Sequence, residues 1–173
     1  MIYTDGAAKG NPGRGGWGAV VMKYEPIPCD DGPEVLYGGV CQPPRCEVIK
    51  EIGGRSKRAT NNQMELSAAI QALEYIKKEK IILPIEIYSD SKYVIFGITK
   101  WIDNWLKNNW RNAAKKPVLN RGLWEELHAL VSELKPALYY VEGHTGDMYN
   151  ERADEIASAF AEGTEKEINM KMT

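Results

Sequence analysis

Two short apolar runs in this chain each end on an aspartate, and a long helical pattern lies between them. Residues 2–5 read as a strand closed by Asp5, and residues 84–88 as another, followed at once by Ser89-Asp90-Ser91. Between them, residues 61–80 place Leu66, Ile70, Leu73 and Ile76 at helical spacing, with Ala68, Ala69 and Ala72 around them. Strands this short bury their apolar faces only by joining a sheet that helices cover, which points to an α/β fold.

The rest of the chain fits that frame. Residues 6–18 are rich in glycine, with a turn at Asn11-Pro12-Gly13, and residues 17–24 alternate as a second strand. Residues 25–46 hold five of the nine prolines and all three cysteines. Strands at 35–40 and 47–52 are expected there without an assignable register. Residues 91–107 read as helical in pieces, 108–120 as polar and basic, and 122–134 as a helix stopped by Pro136. A strand at 137–141, a loop at 142–149 and a helix at 150–161 with Gly163 just past its end complete the pattern. The tail, 164–173, is charged and expected to fray. Strands come early and then alternate with helices, so the sheet should be mixed.

With 173 residues and 43% of them hydrophobic, the chain suffices for one domain with a real core. No run approaches the roughly 18 apolar residues of a membrane span. The opening residues lack the basic and apolar parts of a signal peptide, so none is expected. Cys29, Cys41 and Cys46 are too few for a disulfide framework, so free thiols, a reducing cytoplasm and a monomer are expected. Net charge is −2, but its distribution is uneven. Lys92, Lys100, Lys107, Arg111, Lys115, Lys116 and Arg121 are offset within their segment only by Asp103, so a basic patch stands on an acidic body able to meet a polyanion.

Four carboxylates stand in awkward places. Asp5 and Asp90 sit at strand ends, where open α/β sheets place their sites, although Asp also ends strands because it favours turns. Glu65 heads a stripe formed by Ala69, Ala72 and Ile76, so its carboxylate points at the sheet; an acid near a helix N-terminus is the plainer reading. Asp154 repeats this pattern beside Ala157 and Ala161, among the solvated acids Glu151, Glu155 and Glu162. Four acids from four elements, with few histidines, suit hard cations such as Mg²⁺ or Mn²⁺ and not zinc. Carboxylates with substrate phosphate oxygens are the usual setting for two ions in phosphodiester hydrolysis. Trp101, Trp105 and Trp110, interleaved with Lys100, Lys107 and Arg111, fit a platform for nucleic acid. Trp101 is expected to anchor its helix to the core instead, and residues 111–117 lack an apolar stripe and should project into solvent.

These motifs together resemble type 1 ribonuclease H. Thr4-Asp5-Gly6 with Gly10-Asn11-Pro12-Gly13 and Gly15-Gly16-Trp17-Gly18 resembles its opening, and Thr60-Asn61-Asn62-Gln63-Met64-Glu65-Leu66 its first helix motif. Tyr88-Ser89-Asp90-Ser91 resembles its third acidic motif, and Trp101 to Trp105, Trp110 and Lys115-Lys116-Pro117-Val118 its basic protrusion. Gly143-His144-Thr145-Gly146 and Asn150-Glu151-Arg152-Ala153-Asp154 resemble its last loop and helix.

The resemblance implies a ribonuclease H-like α/β fold, a five-stranded mixed sheet flanked by helices on both faces. It implies an endonuclease that cuts the RNA strand of RNA–DNA hybrids with two Mg²⁺ ions (Mn²⁺ substituting), leaving 5′-phosphate and 3′-hydroxyl ends. Asp5 would bridge the ions, Glu65 and Asp90 hold the one on the leaving-group side, and Asp154 help hold the one that binds the attacking water. His144 would assist proton movement or product release, though a glycine-flanked histidine also caps turns. Asn11, Asn61 and Asn62 match positions on the RNA strand, where the 2′-hydroxyl marks RNA. Arg58, Thr60 and Asn120 match a pocket for a DNA phosphate, and Tyr93 and Trp105 the groove beside the deoxyriboses. Such contacts read backbone and sugar, so little base specificity is expected.

The organisation implied is one domain over 1–162, with a probable insertion at 25–50, the basic protrusion at 100–121 and a flexible tail at 163–173. Glu142 stands where the family commonly has lysine, and Ala113 replaces a hydroxyl-bearing or similar groove residue. The first strand follows Met1 directly, so no hybrid-binding module is expected ahead of the domain, and a free-standing protein is expected rather than part of a polymerase polyprotein. A binding module without turnover would also use this fold, but the presence of all four acids argues against it.

Overall fold

A computed structural model describes residues 1–25, 45–81 and 84–167. Five strands form one sheet in the order β3-β2-β1-β4-β5. Strand β1 (Ile2–Gly10) pairs antiparallel with β2 (Gly13–Glu25), and β2 with β3 (Arg45–Ala59). On its other side β1 runs parallel to β4 (Glu86–Ser89), which runs parallel to β5 (Ala137–Tyr140). The mixed five-stranded sheet expected from the sequence is therefore present.

The helices cover both faces. Helix α1 (Asn61–Lys78), the short α2 (Lys92–Phe96), a π-helical turn (Gly97–Trp101), α3 (Ile102–Lys107) and α4 (Arg121–Leu134) enclose the larger core, built on Leu66, Ile70, Leu73, Ile87 and the fully buried Trp124. Helix α5 (Met148–Glu162) closes the other face, packing Ala153 and Ile156 against Tyr3, Val20 and Met22. It lies close because Gly16 and Gly18 face it: a Cβ at either position would overlap the α5 backbone around Ala157 and Ala153.

Local chemistry sets the helix starts. Thr60 caps α1 in a reciprocal box, its hydroxyl accepting from Gln63 N while Gln63 Oε1 accepts from Thr60 N. Asp147 caps α5 by accepting from Tyr149 N and Asn150 N, so the helix begins at Met148, earlier than the sequence pattern suggests.

Other boundaries also differ. The expected turn at Asn11-Pro12-Gly13 is present, but both strands run further into the glycine-rich stretch than residues 2–5 and 17–24: β1 and β2 pair as far as Gly10 opposite Gly13. Strand β3 is far longer than residues 47–52 and starts at Arg45, so residues 45–50 of the expected insertion belong to the sheet. The strand expected at 35–40, together with Cys29 and Cys41, lies outside the described residues, whereas Cys46 sits in β3 as a free thiol. Trp101 is 38% exposed, while Trp105 and Trp110 are buried, the reverse of the core anchoring expected of Trp101. Trp105 packs among Trp101, Trp110 and Trp124, so it and not Trp101 takes the inner place.

Candidate active site

The sheet order brings the acids together. β1 and β4 are parallel neighbours inside the sheet with Tyr3 opposite Tyr88, so Asp5 in β1 comes level with Asp90 just past β4. Helix α1 delivers Glu65 from one face, and α5 delivers Asp154 from the other. One oxygen each from Asp5, Glu65 and Asp90 lie within 4.8 Å of one another. Asp154 lies against Asp5, and all four acids line a cleft of about 400 Å³ together with Lys9, Asn61 and His144. The structure thus unites four acids that the sequence scatters over 150 residues.

The cluster is buried and poorly compensated. Asp5 and Glu65 are each 7% exposed. Asp5 Oδ1 accepts from Gly6 N at 2.8 Å, and Glu65 Oε1 from Asn61 Nδ2 at 3.2 Å. Glu65 Oε2 is buried and has no hydrogen-bond partner. Burial, then the nearby Asp90 charge, pushes the Asp5 carboxyl up to about 8. Burial, then Asp5 and Asp90, also raises Glu65 well above the usual carboxylate range. Like charges gathered with an orphaned oxygen are costly by themselves and suit a divalent cation taking oxygen ligands.

The sequence also pointed to His144, whose loop runs Gly143 against Asp90 and leaves the histidine exposed at the cleft with φ +57°. One neighbour was missed. Asn150, only 3% exposed, donates from Nδ2 to Asp90 Oδ2 at 3.3 Å, and its Oδ1 is buried without a partner. Its position one helical turn before Asp154 was the signal available in the sequence.

Of the residues matched to substrate contacts, Asn11 and Asn61 meet at the cleft, Asn11 Oδ1 accepting from Asn61 N at 3.3 Å, with Asn62 exposed beside them. Arg58 is exposed at the end of β3, next to Thr60, whose hydroxyl already caps α1. Asn120 is held elsewhere: its Nδ2 donates to Tyr93 Oη at 3.3 Å, and Trp124 Nε1 donates to the same oxygen at 3.1 Å. Trp105 is 8% exposed, its ring packed between those of Trp101, Trp110 and Trp124, so it offers little surface to a groove. Residues 111–117 are all exposed, as expected, and Arg111 Nη1 donates to the Lys115 carbonyl at 2.8 Å.

Comparison with known proteins agrees with this arrangement. The sequence model of the family described as RNase H matches residues 1–162. The chain is 45% identical over 167 residues to a protein named Ribonuclease H from Francisella philomiragia subsp. philomiragia, covering 96% of this chain and 93% of that one. Among solved structures, that of LC9-RNase H1, a type 1 RNase H with the type 2 active-site motif, has a TM-score of 0.73 at 24% identity, covering 98% of this chain and 73% of that one. LC11-RNase H1, solved in complex with RNA/DNA hybrid, has a TM-score of 0.63 at 22% identity, covering 94% and 96%. At such identities the two structures speak for the fold.

Proposed function

The chain belongs to the ribonuclease H family, and from that premise we propose that it is an endonuclease hydrolysing the RNA strand of RNA–DNA hybrids, leaving 5′-phosphate and 3′-hydroxyl ends. The observation that carries the reading is the convergence of Asp5, Glu65 and Asp90 within 4.8 Å around a buried, unpartnered carboxylate oxygen. Asp5, Glu65, Asp90 and Asp154 would hold two Mg²⁺ ions, with Mn²⁺ able to replace them. When bound, such ions supply an activated water and neutralise charge on the phosphate and leaving group.

The chain's own groups do the rest. Asn150 orients Asp90 through its amide. Asn61 fixes one oxygen of Glu65 and leaves the other for a ligand. His144, exposed on its loop, is placed to accept or deliver a proton at the cleft mouth. Asn11, Asn61 and Asn62 ring the same mouth and offer amides to a 2′-hydroxyl, the group that distinguishes RNA from DNA. The exposed Arg58 and residues 111–117 supply cations for the DNA strand, and Tyr93, its hydroxyl pinned by Asn120 and Trp124, presents a fixed ring for the groove. We place residues 1–162 in one catalytic domain, with an elaboration between β2 and β3 and a tail after 162. We further propose a cytoplasmic monomer; no described helix is long and apolar enough to cross a membrane.

Labelled RNA–DNA hybrid, RNA duplex, DNA duplex and single-stranded DNA, each incubated with Mg²⁺ or with excess EDTA, test the reading. Cleavage of only the RNA strand of the hybrid, and only with Mg²⁺, is expected. Equal activity in EDTA would overturn the metal requirement, and comparable cleavage of single-stranded DNA the substrate.

Salt dependence tests the basic protrusion. Neutralising Lys115 and Lys116 together should flatten the slope of log affinity against log salt by about one to two units. The rate at saturating hybrid should change little, because neither lysine lines the cleft. An unchanged slope would show that both lysines are only solvated.

A further inference from the structure

The hybrid reading leaves one exposed surface unexplained. β5 is an edge strand, and Leu138 turns into the core shared with α1 and α4, so Tyr140, two residues on, lies on that same face. Its ring is 39% exposed and packs on Phe96 at 6.2 Å between centroids. Phe96 meets Trp101, itself 38% exposed, edge-on at 6.4 Å, and Trp101 meets Trp105 at 5.8 Å. An unbroken row of rings therefore leads from the sheet edge to the basic protrusion. Two ammonium groups cap it: Lys100 Nζ stands 3.8 Å above the Phe96 ring and Lys92 Nζ 5.4 Å above Tyr140. Neither lysine has an acidic partner among the described ion pairs. The row starts near the cleft, because Tyr140 pairs with Ser89, the residue before Asp90.

We propose that Tyr140, Phe96, Lys92 and Lys100 form a landing surface for an unpaired nucleic-acid strand that continues out of the hybrid. The proposal rests on the hybrid reading and adds a preference for hybrids with a single-stranded extension. Half-exposed rings alternating with cations are the chemistry of single-strand binding, in which bases stack on rings and phosphates meet ammoniums. The interior of a duplex cannot use such rings, since its base faces are already stacked. A strand leaving the duplex next to the cleft has free base faces and the charge that two unpaired lysines complement.

Fluorescence anisotropy in excess EDTA, where the hybrid stays whole, reads the preference. Blunt hybrid is compared with hybrids carrying a short thymidine extension on the DNA or the RNA strand. An extension on at least one strand should tighten binding about tenfold, the order of one stacked base. The variant Tyr140→Ser should erase most of that gain while leaving blunt-hybrid affinity and its cleavage rate in Mg²⁺ unchanged. Tyr140 is exposed, and an unchanged melting temperature confirms folding; Phe96→Leu is the second variant, shortening the row from its middle. Equal affinity for blunt and extended hybrids would overturn the proposal. So would a gain that survives both variants, or an equal loss on the blunt hybrid, which would place the rings in the duplex groove. Failure of the hybrid reading would instead appear as no cleavage of any hybrid with Mg²⁺.

Discussion

Asp5→Asn is expected to lower turnover on the order of a thousandfold, leave hybrid binding largely intact, and stabilise the metal-free protein. Asp5 occupies the centre of the cluster, against Glu65, Asp90 and Asp154 at once. An amide oxygen is a weaker ligand for a hard cation, and metal-assisted charge stabilisation is worth several kcal/mol, or on the order of three powers of ten in rate. The stability effect has the opposite sign. Burial and the Asp90 charge raise the folded-state carboxyl to about 8 from an ordinary value near 3.8, so the folded protein retains a proton that the unfolded chain has lost. Folding then takes up a proton, and stability falls as pH rises from about 4 through about 8. Asparagine has no charge to desolvate, so that penalty disappears. Melting curves in EDTA across this range should show the variant above the parent, with the gap widening as pH rises, while hybrid turnover is measured in Mg²⁺. A variant that keeps most of its activity would reduce Asp5 to a strand-end residue. Identical pH dependence of melting would show that its carboxyl is not under strain.

The sheet was legible because its signals are local. The apolar pattern of 2–5 and 84–88 and the helical spacing of Leu66, Ile70, Leu73 and Ile76 need no knowledge of distant residues. In the glycine-rich stretch after Asp5 the turn at Asn11-Pro12-Gly13 was legible, but the reach of the strands on either side was not, because glycine is depleted in strands. Here Gly16 and Gly18 are strand residues whose missing side chains make room for α5, a tertiary cause that no window along the chain contains. The length of β3 was hidden in the same way: Gly53 and Gly54 interrupt its pattern, while pairing with Gly18 and Trp17 carries the ladder through them.

The site divides along the same line. Glu65 could be singled out because an acid at the head of an apolar stripe breaks the helix's own pattern. Asn150 gave a weaker signal, its place one turn before Asp154, since asparagine near a helix start has an ordinary explanation in capping. Only the arrival of Asp90 at 3.3 Å, from a strand 60 residues away, gives its amide a task. The tryptophans were misread for a third reason. Trp101 and Trp105 stand one helical turn apart and look alike in sequence, and only packing decides that Trp105 sits among Trp101, Trp110 and Trp124 while Trp101 stays 38% exposed.

Gly6→Ala is expected to separate Glu65 from Asp5 without touching any acid. Gly6 follows Asp5 in β1, and α1 crosses so closely above it that a Cβ there would overlap Glu65 N and the Met64 carbonyl carbon. Those atoms are helix backbone, so no side chain can swing aside to relieve the clash. Either α1 lifts or β1 bends. Lifting α1 loosens Leu66, Ala69, Ile70 and Leu73 from the sheet, and overpacking of this kind typically costs about 1–3 kcal/mol. Glu65 moves with its own backbone, so its carboxylate leaves the 4.8 Å cluster with Asp5 and Asp90. A displacement of about 1 Å at a reacting centre can cost roughly a hundredfold in rate. The variant should therefore show a lower denaturation midpoint, a hybrid turnover reduced about a hundredfold, and a metal-activation curve displaced to higher Mg²⁺. The last of these separates it from general destabilisation, which would lower the folded fraction and leave the metal midpoint where it was. Turnover and metal midpoint both within a factor of about two of the parent would mean that the sheet absorbs the methyl group by bending, and that the seat of Glu65 is set elsewhere along α1.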